Sequence, residues 1–246
     1  MLPRLAIPTY QRCDSISRKT LRYLSDHAYP ASLIYLFVAS EEERVRYEEN
    51  VPEHLYGQIV IGLPGLKEQR NFIVDYFDEG EIIIEMDDDV ENIHCLTGGF
   101  VGLVDHGVKM INTGNGGLFG CMPTDDKRVM TLTTTTHLAF VIGTFSMRRN
   151  HRDIKLSLVQ KHDYERCILY FLRYGTVYRY KGSGVKTRYL KNAGGLQDGN
   201  RHATMEQCVS YLCDTYPLLI QRREKNGLPD LLLNWRAKVG PRYNMV

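Results

Sequence analysis

Two textures alternate along the first ninety residues. Short apolar runs, "RLAIPTY", "ASLIYLFVAS", "GQIVIG" and "EIIIEM", are separated by longer polar stretches in which apolar residues recur at helical spacing. The short runs are rich in β-branched and aromatic residues and read as strands, the spacers as helices. The first strand ends at Pro8. "DSISRKTLRYLSDH" predicts a helix with Asp14 or Ser15 as N-cap, and "EEERVRYEEN" a second one capped by Ser40. In "LKEQRNFIVDYF", Leu66, Phe72, Ile73 and Phe77 fall near helical spacing. The resulting β-α-β-α-β-α-β order predicts an α/β fold with a parallel, doubly wound sheet, whose ligands bind beyond the carboxyl ends of the strands.

The texture then changes. Residues 98 to 120 carry eight glycines and read as a loop-rich excursion around one short helix. "TTTTHLAFVIGTFSMRRN" returns to β-type residues, and "HDYERCILYFLRYG" predicts a helix with Gly175 as its C-cap. "TVYRYKGSGVKTRYL" is β-rich and "KNAGGLQDGNRH" a loop. "TMEQCVSYLCDTYP" predicts a helix capped by Thr204 and stopped before Pro217. With no internal repeat or linker, one domain over residues 1–246 is expected.

Composition adds three points. A chain of 246 residues with 43% hydrophobic and 24% charged residues is an ordinary globular one with a sizeable core. No apolar run reaches the length of a membrane span, and "MLPRLAIPTYQR" lacks the apolar region of a signal peptide, so a soluble cytoplasmic protein without membrane association is expected. The six cysteines are scattered, without zinc spacing, and are expected as free thiols. The net charge of +2 conceals a segregation: residues 41–91 hold 16 acidic and 4 basic residues, residues 148–201 hold 13 basic and 4 acidic. Such blocks are either solvated faces or, for the basic one, a surface for a polyanion.

The sharpest feature is "EIIIEMDDDV". A strand that reads as buried on both faces runs into three consecutive aspartates, which repel one another and are costly to desolvate. A divalent cation resolves the conflict. Mg²⁺ or Mn²⁺ prefers oxygen ligands and shares them with the oxygens of a substrate diphosphate. An acidic surface turn is the plainer alternative.

"IPTYQR" on the first strand, "GLKEQRN" at the helix before the aspartates, and "IIIEMDDDV", in that order, resemble the nucleotide-sugar half of GT-A fold glycosyltransferases. "LFGCMPTDDKRVM", "LAFVIGTFSMRRN", "HDYERCILYFLRYGTVYRY" and "TRYLKNAGGLQDGNR" resemble the acceptor half of a narrower group, the viral and phage TET-associated glycosyltransferases and related small glycosyltransferases of large DNA viruses. The resemblance covers nearly the whole chain. It implies a Rossmann-like, mostly parallel sheet flanked by helices, with a donor half over residues 1–92 and a smaller, β-rich acceptor part within residues 93–246. The implied activity is metal-dependent sugar transfer from a nucleotide sugar, a UDP-sugar first, to a hydroxyl.

Residue by residue, the resemblance implies that Pro8, Thr9, Tyr10 and Arg12 hold the nucleoside, with Tyr10 either near the base or in the core. Arg70 and Asn71 reach the base, ribose or diphosphate. Asp87 and Asp89 are the metal and ribose contacts, since alternate residues at a strand end point the same way. Asp88 faces the sugar or braces the loop. Asp163 is the expected base for an inverting transfer, with Glu165 second, although family members carry a second acid where this chain has His162. Asp163 as a helix cap is the structural alternative. Gly143 lies where the acceptor passes the donor sugar, Gly194 and Gly195 approach a phosphate or sugar, and His202 is a third candidate metal ligand. The narrower resemblance implies a 5-hydroxymethylpyrimidine in DNA as acceptor, and the basic block suits backbone contact through Arg148, Arg149 and Arg188, with no obligate protein partner expected. Glycosylation of a viral protein or glycan, and a binding module without catalysis, are the alternatives.

Overall fold

Strands β1 (Arg4–Pro8), β2 (Ile34–Val38), β3 (Gln58–Ile61) and β4 (Ile82–Met86) pair in parallel in the order β3-β2-β1-β4. The structure is a computed structural model that describes residues 1–185 and 201–239. β4 then pairs antiparallel with β8 (Phe145–Arg149), and the sheet continues through β6 (Leu118–Met122) and β9 (Val177–Val185) to β5 (Ile93–Cys95), with β7 (Thr134–His137) also on β9. Six strands, β1 to β4 with β6 and β9, point one way and β5, β7 and β8 the other. The fold is thus mixed α/β with a mostly parallel sheet. β4 is central, paired along both edges, and its apolar run has the two buried faces that the sequence predicts.

The period of two along each strand sorts the core into layers. From β1 and β4, Leu5, Ile7, Ile84 and Met86 face one side, where they pack with Ile16, Leu21, Leu24, Leu103 and Val104. Ala6 and Ile83 face the other side and meet Ile73 and Phe77. Helices α1 (Cys13–Ile16), α2 (Thr20–Asp26), α3 (Glu41–Asn50) and α5 (Gly99–Thr113) contribute to the first layer. Helix α4 (Leu66–Tyr76) contributes to the second. A further cluster joins α6 (His162–Tyr174), α7 (Arg201–Thr215) and the hairpin of β10 (Ile220–Lys225) with β11 (Leu228–Leu233).

Four local expectations are corrected. The helix expected over residues 14–27 is two helices, and neither Asp14 nor Ser15 is an N-cap. The break places Thr20 at the start of α2, where its hydroxyl donates to Asp87 O (2.8 Å) and accepts from Val90 N (2.9 Å), bracing the turn that follows β4. The glycine-rich segment is a helix of 15 residues followed by a strand. Burial of Phe100, Leu103, Val104 and Ile111 on one helical face outweighs the low helix propensity of glycine. Gly107 lies so close to Met147 and Phe119 that a Cβ would collide with both. Helix α7 starts at Arg201, ahead of Thr204. The hairpin turns at Asn226-Gly227, both at positive φ, the sequence signature of a two-residue turn. Among the described residues no helix is long and apolar enough to cross a membrane.

Candidate active site

The carboxyl ends of β1 and β4 lie side by side and deliver the first two parts of the site. From β4, Asp87 N donates to Thr144 O (3.1 Å), which draws the segment before β8 alongside the aspartates. The strand alternation stops there. Asp87 continues the face of Ile83 and Glu85 and accepts from Arg70 Nη2 at 2.9 Å. Asp88 turns towards the end of β1, accepting from Thr9 Oγ1 (2.7 Å) and Arg12 Nη1 (2.5 Å), and Arg12 Nη1 lies 2.9 Å from Asp89. Asp88 therefore braces the loop, and Asp89 shares its cation with Asp88 rather than with Asp87. Pro8 and Thr9 are buried, whereas Tyr10 is 50% exposed, which removes the core alternative for it.

The third part comes from α6. Its N-cap position is Lys161, without a side-chain cap bond, so Asp163 is not the cap of this helix. The Asp163 carboxylate lies against Gly143, where any Cβ would overlap it, and its Oδ1 is buried without a hydrogen-bond partner among the described residues. His162 Nε2 stands 3.4 Å from that oxygen. Burial holds the His162 imidazole below its usual range, against the pull of Asp163, which favours the neutral ring at physiological pH. We expect Gly143→Ala to displace Asp163 and lower kcat roughly 10²-fold at unchanged donor KM, a cost typical of an ångström-scale displacement. Initial rates at varied donor concentration check this.

Electrostatics mark Asp87. Burial, reinforced by the charges of Asp89, Asp163 and Asp88, pushes its carboxyl up to about 6 despite Arg70. Asp88 is raised as well, by burial first. The cluster thus has more negative charge than Arg12 and Arg70 neutralise. An all-oxygen donor set of this kind is the chemistry that a hard divalent cation prefers, and Asp87 and Asp89 are the residues that would hold it. Among the described residues, however, three ligand atoms within 4.8 Å of one another occur at Glu79, His151 and Asp153. These lie at the opposite end of β4 and β8. There His151 Nδ1 contacts Glu79 (2.5 Å), His151 Nε2 contacts Tyr174 (2.5 Å), and Asp153 pairs with Arg173 (2.6 Å).

Beneath Asp87 lies a feature that sequence reading missed. Glu85 is fully buried in mid-strand and faces three arginines: Arg70 from α4, Arg148 from β8 (2.7 Å) and Arg166 from α6 (2.9 Å). Burial alone would raise its pKa, but the charges of Arg148, Arg166 and Arg70 outweigh it and hold the carboxyl well below its usual range. The lone Glu in "IIIEM" was the signal, since a charge in a buried strand requires a partner. Glu85→Gln leaves three buried cations short of their counter-ion and is expected to cost about 3–5 kcal/mol in denaturant unfolding. Because the folded-state pKa is depressed, this stability is present above the ordinary carboxylate range and lost as pH falls below it. The difference between wild type and Glu85→Gln should therefore shrink in acid.

Several expected site residues are placed elsewhere or otherwise engaged. Asn71 donates to Leu156 O and accepts from Leu156 N (both 2.8 Å), so its amide holds that loop instead of reaching towards a ligand. Glu165 accepts from Ser157 N (3.0 Å) and Leu158 N (3.1 Å) and is buried, which commits it to the turn. Arg148 is 1% exposed and paired with Glu85, and Arg149 donates to Gly80 O (3.0 Å) and Asn112 Oδ1 (3.0 Å) at the end of β8 remote from Asp87. Within the described part of the basic block, Arg148 and Arg166 are buried against Glu85, whereas Arg152 and Arg173 are exposed. His202 is exposed on α7. Arg188, Gly194 and Gly195 lie outside the described residues. Tyr47 was not anticipated. It is fully buried on α3, and its hydroxyl contacts Thr9 Oγ1 (2.6 Å) and accepts from Arg12 N (3.1 Å).

No family model matches the chain, and no curated protein matches it. Solved structures do resemble it. Residues 1–349 of TarS from S. aureus superpose with a TM-score of 0.55 at 14% identity, over 87% of this chain and 66% of that one. The mannosyltransferase PcManGT from Pyrobaculum calidifontis, solved with GDP-Man and Mn²⁺, gives 0.54 at 12% identity, over 86% and 62%. Glucosyl-3-phosphoglycerate synthase from Mycobacterium tuberculosis, solved with phosphoglyceric acid, gives 0.53 at 12%, over 93% and 85%. The chain spans about two thirds or less of the first and second of these. The shared feature is the fold, that of GT-A glycosyltransferases.

Proposed function

We propose that this chain is a metal-dependent glycosyltransferase that moves a sugar from a nucleotide-sugar donor to a hydroxyl acceptor. The observation that carries the reading is the convergence of Asp87, Asp88 and Asp89 with Asp163, from separate elements, at the carboxyl edge of a mostly parallel sheet. Asp163 brings a buried oxygen without a hydrogen-bond partner among the described residues.

Each residue then has a task. Tyr10, exposed at the end of β1, offers a face to a nucleoside base. Thr9, Tyr47 and Arg12 fix Asp88 and the loop so that Asp89 is presented. Asp87 and Asp89 would hold Mn²⁺ or Mg²⁺, which when bound screens the diphosphate of the donor and stabilises the leaving nucleotide. Arg70 orients Asp87 from below. Asp163 accepts the proton of the acceptor hydroxyl, and the neutral His162 beside it leaves the carboxylate free to do so. A UDP-sugar donor and a cytoplasmic location are the finer parts of this reading.

A hydroxymethylated base in DNA as acceptor rests on the resemblance alone. The burial of Arg148 and the remote position of Arg149 take away two of the three cations named for it. Incubation with Mn²⁺, a panel of nucleotide sugars, and either hydroxymethylcytosine DNA or free glycans, followed by mass analysis, tests the reading. The expected result is a hexose adduct that EDTA prevents. Neither transfer nor donor hydrolysis with any donor would contradict it.

A further inference from the structure

Lys161 immediately precedes the helical turn that carries Asp163, and its backbone is left-handed, with φ 58° and ψ 12°. A residue at this position ordinarily takes an extended conformation, and a left-handed lysine is disfavoured roughly 5- to 30-fold. Something must hold it. Its side chain is 12% exposed, and the ammonium lies 2.8 Å from Asp230 Oδ1 on β11. Asp230 is itself buried and also receives Tyr164 Oη from α6 (3.3 Å) and Arg223 from β10 (2.7 Å). The hairpin that presents Asp230 is rooted in the same cluster as α6, with Leu219, Ile220, Leu231 and Leu233 packed among Tyr164, Cys167 and Ile168.

We propose that Asp230 is a positioning residue for Asp163. By binding Lys161 it keeps the backbone left-handed, and this fixes the angle at which α6 enters the site and the place of the Asp163 carboxylate against Gly143. The inference rests on the reading of Asp163 as the base. The hairpin thereby becomes part of the catalytic apparatus, although its anchoring residue touches neither donor nor acceptor.

Glycine enters the left-handed region without strain, so Lys161→Gly removes the need for the anchor. This permits a test by four proteins: wild type, Asp230→Ala, Lys161→Gly and the double variant, each assayed for transfer with Mn²⁺ and the donor that wild type uses. Asp230→Ala is expected to lower kcat at least about tenfold with donor KM unchanged, since the donor binds at β1 and β4. Lys161→Gly should stay within a few-fold of wild type, and the double variant should recover most of the lost kcat. A role confined to docking the hairpin would not be rescued by a glycine at residue 161. Should Asp230→Ala fail to fold, Asp230→Asn, which keeps the shape and weakens the ion pair, replaces it in the same cycle. An unchanged kcat in the Asp230 variant, or a double variant as impaired as the single one, overturns the proposal while leaving the activity standing. A wild type that transfers no sugar from any donor overturns the function and this inference with it.

Discussion

Asp87→Ala and Asp89→Ala are each expected to abolish sugar transfer and weaken donor binding in a protein that remains folded. The loss is large because both carboxylates would hold the cation, whereas Asp88 is turned to Thr9 as well as Arg12, and Asp163 is proposed for the proton transfer. The fold survives because the Asp87 charge is already disfavoured, with its carboxyl at about 6. An acid whose pKa is raised on folding binds its proton more tightly in the native state. In the presence of EDTA, wild type should therefore gain stability as pH falls from about 6 into the ordinary carboxylate range, and Asp87→Asn should lack that gain. Thermal unfolding at several pH values, beside initial rates at neutral pH, checks both halves. A variant that is inactive only because it is unfolded would contradict the assignment.

The second large effect belongs to Asp163. Asp163→Asn keeps the size of the side chain and its place beside Gly143 but cannot accept a proton. The expected loss is in kcat, by roughly 10² to 10⁴, with donor affinity preserved. Single-turnover rates together with donor titration separate these quantities. A fall in stability at unchanged turnover would assign Asp163 to the helix instead, an outcome already disfavoured by the absence of a cap bond.

How much of this was legible in the sequence follows from the range of the interactions. Strands β1 to β4 and helices α3 and α4 were readable because their signals are local: a period of two, a period near 3.6, and Ser40 as a cap, which accepts from Glu43 N at 3.3 Å. The aspartates were placed at a strand end for the same reason. Which way each points was not readable, because the chain turns after Asp87 and the alternation rule ends with the strand. Arg148 read as a surface cation because a linear charge block says nothing about which face of β8 it occupies. The partner that buries it, Glu85, is 63 residues away in sequence. Helix α5 was underread because its glycines spoke for a loop, whereas packing against Phe119 and Met147 decided the matter. The hairpin was legible and overlooked, since Asn226-Gly227 is a local signal of a two-residue turn.

The central claim is that the aspartates after β4, and not another group of ligands, hold the metal and the donor. The Glu79, His151 and Asp153 cluster at the far end of the sheet makes this decidable. The direct measurement is a calorimetric titration of Mn²⁺ together with a nucleoside diphosphate into wild type, Asp87→Ala and Asp153→Ala. The expected result is Mn²⁺-dependent nucleotide binding in wild type and in Asp153→Ala, and its loss in Asp87→Ala. Binding that persists in Asp87→Ala and disappears in Asp153→Ala would contradict it.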